Sequence, residues 1–255
     1  MNKNLYTALF TESGICKKSI YGDVMELTPR LKKAADLIPH GSVLADVGTD
    51  HAYLPVYCVL NGISPYAAAM DINEGPLRKA EENVFKYGLG DKIELRLSNG
   101  IEKLNKGEAD VIVIAGMGGL LIKNILDSGK GILDENTFLI LQPMIAAEEL
   151  REYLYQNGFC VENEYLAAEG NKLYNIITAR YENKNSEYGE KDIFIGRNLN
   201  KNSPELYERY IKHKSEKSKK KINGLEQAKI RDDALITATK HELDVYKKEL
   251  KTHET

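Results

Sequence analysis

The stretch Leu44-Ala45-Asp46-Val47-Gly48-Thr49-Asp50-His51-Ala52-Tyr53-Leu54-Pro55 decides the fold. A strand-length apolar run closes on a carboxylate, one glycine lets the backbone turn tightly, and a helix follows with Pro55 in its opening turns. The same unit recurs outward from it. Val43 to Val47, Ala67 to Ile72, Ile93 to Leu97, Val111 to Ala115 and Phe138 to Leu141 all have strand length. Helices are predicted over Ala52 to Asn61, Pro76 to Tyr87, Gly119 to Ser128 and Ala146 to Asn157, each followed by a closing glycine. Strands that alternate with helices imply a parallel sheet covered on both faces, a doubly wound α/β domain.

Further along, Phe159 to Ala167 and Leu173 to Tyr181 are two strands joined by the turn-like Glu169-Gly170-Asn171. With no helix between them they form an antiparallel pair. Five parallel strands ending in a β-hairpin are unusual for a dinucleotide dehydrogenase and suit the Rossmann-like methyltransferase plan. Upstream, Thr28 and Pro29 open a short helix with Leu31, Ala34, Ala35 and Ile38 on one face. Residues 1–26 show no sustained period and read as an extension. The central domain is expected over 27–182, a linker rich in Asn, Lys, Ser and Gly over 183–202, and a helical hairpin over 203–255. There Ile236, Thr239, Leu243, Tyr246 and Leu250 recur at coiled-coil spacing; Tyr207, Ile211, Ile222 and Leu225 supply the facing helix, with the turn at Ile230 to Asp233.

Composition limits the function classes. The 255 residues are 42% hydrophobic and 29% charged, an ordinary globular balance. Cys16, Cys58 and Cys160 show no CxxC spacing, which excludes a disulfide scaffold or a zinc ribbon; reduced thiols and no metal are expected. No apolar run approaches the roughly 18 to 20 residues of a membrane helix, and no leader peptide is legible, so a cytoplasmic location is expected. The net charge of -3 hides an asymmetry, +4 from Asn183 onward and -7 before it. The two parts are expected to meet different partners.

In an open parallel sheet ligands bind at the carboxyl ends of the strands. A single glycine, Gly48, makes a pyrophosphate cradle improbable, and Asp50 at the helix start repels phosphate but attracts a cation. S-adenosylmethionine, with a sulfonium and an ammonium and no phosphate, suits this acidic loop better than NAD. Asp71, followed by Ile72, stands where a ribose-binding acid belongs. Asn99 offers an amide to an adenine edge, with Gly100 turning the chain; Gly116, Gly118 and Gly119 clear a space in which Met117 can pack on adenine.

With these residues the chain resembles the bacterial tRNA adenine-22 N1-methyltransferases, the TrmK family. The likeness runs from about Leu27 to the C-terminal hairpin and is most specific over Asp46 to Pro55. Gly107 to Asp110 leading into Ile114 to Gly119, and Leu139 to Pro143, support it. The resemblance implies a class I methyltransferase fold, S-adenosylmethionine as donor and a C-terminal coiled coil that helps hold tRNA. It carries cofactor binding onto Asp46, Gly48, Asp71, Asn99, Gly100, Gly116, Met117 and Gly118. It places Asp50, His51, Tyr53 and Gln142 around the methyl group and the target base. Two departures stand out: Asn99 where the family usually has Asp, and Met144 where it has Asn after Gln-Pro.

Adenine N1 has a free lone pair, so methyl transfer needs no base to start it, only positioning. N1 lies on the Watson-Crick edge, so a paired adenine must leave its stack. Tyr53 is the candidate stacking surface, Gln142 a base-edge contact, Asp50 the group that offsets positive charge on the adenine, and His51 either positions Asp50 or donates to the base. Lys212, Lys214, Lys217, Lys219, Lys220 and Lys221 form a basic cluster suited to phosphates, and Arg30 is either a contact to RNA or to the cofactor carboxylate or a residue on the surface of its helix. Competing readings are a non-catalytic RNA-binding relative and a small-molecule methyltransferase with a dimerising coiled coil. Two helices on one chain can pair internally, which favours a monomer.

Overall fold

The computed structural model describes residues 25–184 and 186–253. Its elements are α1 (Pro29–Asp36), β1 (Leu44–Val47), α2 (Tyr53–Leu60), β2 (Ala67–Asp71), α3 (Glu74–Lys86), β3 (Ile93–Leu97), β4 (Val111–Met117), α4 (Gly119–Ser128), β5 (Phe138–Pro143), α5 (Ala147–Gln156), β6 (Phe159–Glu169), β7 (Lys172–Tyr181), α6 (Glu190–Phe194), α7 (Leu199–Asn202), α8 (Pro204–Glu226) and α9 (Asp233–His253).

The sheet order is β3-β2-β1-β4-β5-β7-β6. β1 to β5 pair in parallel, and β7 runs antiparallel to both β5 and β6. β1 and β2 are buried at every position, as central strands covered on both faces must be. One face packs Ile122, Leu126, Leu150 and Leu154 from α4 and α5. The other packs Ala34, Ala35, Val56, Cys58, Ala80 and Val84 from α1, α2 and α3. The strand order reverses between β1 and β4, so the crevice at their carboxyl ends is where a ligand belongs. β4 and β5 run past the expected ends, to Met117 and Pro143, with a register shift between Ala115 and Met117.

Several boundaries differ from expectation. The helix after β2 starts at Glu74, leaving Pro76 inside its first turn. Thr28 accepts from Lys32 N–H through its carbonyl, at 2.8 Å, while its hydroxyl makes no cap bond. Most of the 1–26 extension and Cys16 lie outside the described residues; Met25 is buried in the α1–α2 core.

The linker over 183–202 is corrected. It carries α6 and α7 and buries Ile195 and Leu199, apolar residues hidden among the Asn, Lys and Ser that suggested a spacer. These join Leu166, Tyr207, Tyr210, Ile211 and Tyr246 in a third cluster that seats the hairpin on β6. Each such buried side chain contributes roughly 1.5–3 kcal/mol, so the hairpin is a docked element, not a free arm. Along its seam Ile236, Thr239, Leu243 and Tyr246 are buried, facing Ser215, Ser218 and Ile222. Small residues let the two helices approach closely. Helix α8 continues through Asn223 and Gly224 to Glu226, so the turn falls at 227–232, where the Asp232 carboxylate caps α9 by accepting from Leu235 N–H at 2.9 Å.

Candidate active site

Asp46 ends β1 almost fully buried, accepting from the Thr49 hydroxyl at 2.6 Å. Burial pushes its carboxyl up to about 6; the Thr49 bond opposes this and nearby Asp71 adds to it. The Gly48 and Thr49 N–H groups both donate to the Met70 carbonyl, at 2.8 and 2.9 Å, pinning the turn to the end of β2. Gly48 has φ +72°, and a Cβ there would stand 2.2 Å from the Met117 methyl. Met117 therefore closes over the Gly48 turn, on the β1 side of the crevice.

The next residues are strained. Asp50 and Ala52 adopt left-handed φ of 52° and 56°, which costs non-glycine residues about 1–3 kcal/mol each. The strain is held by Asp71, whose carboxylate accepts from Asp50 N–H at 3.4 Å and Asn73 N–H at 2.9 Å, and by Asn83, which donates to the His51 carbonyl at 2.9 Å. It presents the Asp50 carboxylate outward, 68% exposed, with His51 Nε2 3.5 Å away. The His51 ring stacks on Tyr53 at 5.2 Å and 2° between planes, and Tyr53 leaves 43% of itself open to the crevice rim.

Asn99 donates to Glu102 at 2.7 Å, which leaves its carbonyl oxygen as an acceptor at the end of β3. Gly100, at φ +61°, packs against Ile125 with no room for a side chain. Ile72 is exposed beside Asp71. Gly116, at φ +79°, is bound through its N–H to Gln142 Oε1 at 3.1 Å. Gly118 lies against exposed Ile145.

Gln142 is corrected from base-edge contact to support. Only 1% exposed, it accepts from Gly116 N–H and from Arg30 Nη1, both at 3.1 Å, and donates to the Pro143 carbonyl at 3.0 Å. Its amide has no face left for a base. Arg30, read from sequence as a contact to RNA or to the cofactor carboxylate or as a surface residue, is brought by α1 to Gln142, and its backbone N–H donates to Glu169 Oε1 at 3.1 Å. Met144 is 43% exposed next to Gln142, whose amide approaches its sulfur at 3.6 Å.

The lysines separate. Lys214 is corrected: it is turned inward and ion-paired with Glu148 on α5, so it is withdrawn from any phosphate-facing set. Lys217 and Lys221 line a cleft of about 770 Å³ opposite Glu149 and Glu152. Lys219 and Lys220 point outward, and Lys212 pairs with Glu208 on the exposed side.

Sequence reasoning missed Thr49, Glu169 and Glu148. The hydroxyl three residues after Asp46 was a usable signal for Thr49; the other two are joined to the site only through tertiary contacts. Among the described residues no group of three His, Cys, Asp or Glu side chains is placed to hold a metal, and no helix is long and apolar enough to cross a membrane.

The donor set fits S-adenosylmethionine. Asp46, Asp50 and Asp71 surround a glycine turn that has no second and third glycine for a pyrophosphate, and the Asn99 carbonyl is open for an adenine amino group. Sheet order, antiparallel seventh strand and this acidic crevice define a Rossmann-like methyltransferase, and residues 27–177 match the methyltransferase-domain family. Over 164 residues the chain is 43% identical to the tRNA (adenine(22)-N(1))-methyltransferase of Bacillus subtilis strain 168, covering 64% of this chain and 69% of that protein. It belongs to the tRNA (adenine(22)-N(1))-methyltransferase family. Its fold is shared by many solved structures, among them two determined with the donor or its product. Streptococcus pneumoniae Sp1610, a putative tRNA (m1A22) methyltransferase in complex with S-adenosyl-L-methionine, aligns with TM-score 0.76 and 31% identity over 88% of this chain and all of that one. Mycoplasma capricolum TrmK with S-adenosyl-homocysteine aligns with TM-score 0.73 and 28% identity over 88% and 98%.

Proposed function

We propose that this protein transfers the methyl group of S-adenosylmethionine to N1 of adenine 22 in tRNA. The observation that carries this reading is the pair of buried carboxylates, Asp46 and Asp71, bracketing the Gly48 turn at the topological switch point, with a stacking face, Tyr53, at the rim. Family membership supplies the RNA side.

When bound, S-adenosylmethionine supplies an electrophilic methyl carbon on a sulfonium. The chain's own work is to hold and orient. Asp46, Asp71 and the Asn99 carbonyl hold the cofactor's ammonium, ribose and adenine, with Gly48, Gly100, Gly116 and Gly118 giving backbone room and Met117 and Ile72 apolar surface. Tyr53, kept flat by His51, stacks on the extruded base. The Asp50 carboxylate offsets the positive charge that N1 acquires, and no proton needs removal first. Exposed Leu120, Leu121, Met144 and Ile145, just beyond the carboxyl ends of β4 and β5, offer apolar surface for the base to close against. Arg30 contacts an RNA phosphate beside the base, and Lys212, Lys219 and Lys220 neutralise phosphates along the hairpin. The hairpin seam is filled within one chain, which supports a monomer over a dimerising coil.

The test is methylation of an unmodified tRNA transcript with labelled donor, followed by mapping of the base. One 1-methyladenine at position 22 is expected. No transfer, or transfer to a small phenol or amine but not to tRNA, rejects the reading.

A further inference from the structure

The methyl-transfer loops and the C-terminal hairpin are joined by a continuous run of contacts. At the crevice, Met144 N–H donates to the Met117 carbonyl and Gly119 N–H to the Ile145 carbonyl, both at 2.8 Å. Gly119 is packed so closely that a Cβ would stand 2.0 Å from the Ala146 carbonyl oxygen. Loops 116–119 and 143–146 are therefore one body. Ala146, at φ +57°, starts α5, and Glu148 in its first turn pairs with Lys214 of α8. The pair is largely withdrawn from water, with side chains 22% and 15% exposed.

The same contact is braced on both sides. Lys214 Nζ lies 5.7 Å from the Tyr246 ring centroid, and the Tyr246 hydroxyl, with one proton to give, lies within hydrogen-bond distance of Glu242 Oε1 at 2.9 Å and of the Phe194 carbonyl at 3.2 Å. One turn along α5, fully buried Arg151 donates to both Glu164 oxygens on β6, at 2.8 to 3.1 Å, and to the Ile193 carbonyl at 3.0 Å. Burial works to raise the Glu148 carboxyl, but Lys214 and Arg151 outweigh it and hold it below its ordinary value, so the pair stays charged.

A partly buried ion pair between two packed elements adds little stability over an apolar pair of equal volume. What it does is select one relative placement, because sliding either helix strands a charge. We infer that Lys214 and Glu148 are an alignment pair: they fix the angle of the RNA-holding hairpin over the methyl-transfer loops, which makes Lys214 a positioning residue for the target base and not a phosphate contact. This rests on the RNA methyltransferase reading.

The test uses the full chain with Lys214→Met and with the double variant Glu148→Gln/Lys214→Met, which removes both charges and leaves none stranded. S-adenosylhomocysteine affinity, tRNA KM and kcat are measured for each. The double variant is expected to keep cofactor affinity and tRNA KM within about threefold of wild type, with kcat at least about tenfold lower, since misplacing reacting atoms by 1 Å costs on the order of 100-fold. An unchanged kcat overturns the inference. So does a rise in KM alone, which marks a simple RNA contact, and so does a loss of kcat matched by lost cofactor affinity, which marks damage to the fold. Failure of the wild-type arm to methylate tRNA overturns the parent reading and this one together.

Discussion

Lowering the pH from 7.5 to 5 is expected to weaken cofactor binding about tenfold through protonation of Asp46. Without ligand its carboxyl titrates near 6, because burial disfavours the charge. A bound ammonium favours that charge and brings the carboxyl back toward its ordinary value of 3.8, so binding expels the proton that Asp46 carries in acid. Affinity then falls by the fraction of Asp46 protonated: almost none at pH 7.5, about tenfold at pH 5, or about 1.4 kcal/mol. The stability of the free protein runs the other way. The folded pKa lies above the free value of 3.8, so the folded state binds this proton more tightly than the unfolded chain. The resulting destabilisation, about 3 kcal/mol, is complete above pH 6 and fades as pH drops toward 4. Calorimetry with S-adenosylhomocysteine, which keeps the ammonium, in buffers of different ionisation heat reads both affinity and proton release. Release near one proton at pH 5 and near zero at pH 7.5 is expected, and Asp46→Asn should bind weakly with a flat profile. A wild-type affinity that moves less than twofold over this range, or an Asp46→Asn profile with the wild-type slope, refutes the reasoning.

Three further outcomes follow from named contacts. Arg151→Met leaves Glu164 buried without its counter-charge and should cost about 3–5 kcal/mol, a fall in Tm of about 10 °C or more, and adding Glu164→Gln should recover over half of it. Tyr53→Ala removes the stacking face and should lower kcat/KM for tRNA by about 10- to 100-fold, while Tyr53→Phe stays within about threefold and both bind S-adenosylhomocysteine normally. Removing outward Lys219 and Lys220 should reduce the slope of log affinity for tRNA against log salt by about 2, whereas Lys217→Ala and Lys221→Ala, across the cleft from Glu149 and Glu152, should change it by much less.

The parallel sheet, its helices and the β-hairpin were legible because each is written in local period and punctuation: apolar runs of strand length, and glycines after helices. The carboxylates at the ends of β1 and β2 were legible too, since topology alone assigns strand ends to ligands. What was not legible depends on distant residues. Lys214 lies in a lysine run and reads as a solvated face until Glu148, 66 positions earlier, is seen against it. Gln142 reads as a recognition amide until Arg30 and Gly116 occupy its oxygen. Segment 183–202 looks like a spacer by composition, yet Ile195 and Leu199 find cover only once α8 and α9 are docked.

Asp46, Asp71 and the single-glycine turn make one central claim, that the crevice accepts a cationic methyl donor and not a nicotinamide dinucleotide. Parallel calorimetric titrations of the full chain with S-adenosylmethionine and with NAD measure this directly. Saturable one-to-one heat with S-adenosylmethionine and none with NAD is predicted; tight NAD binding with no heat from S-adenosylmethionine contradicts the account.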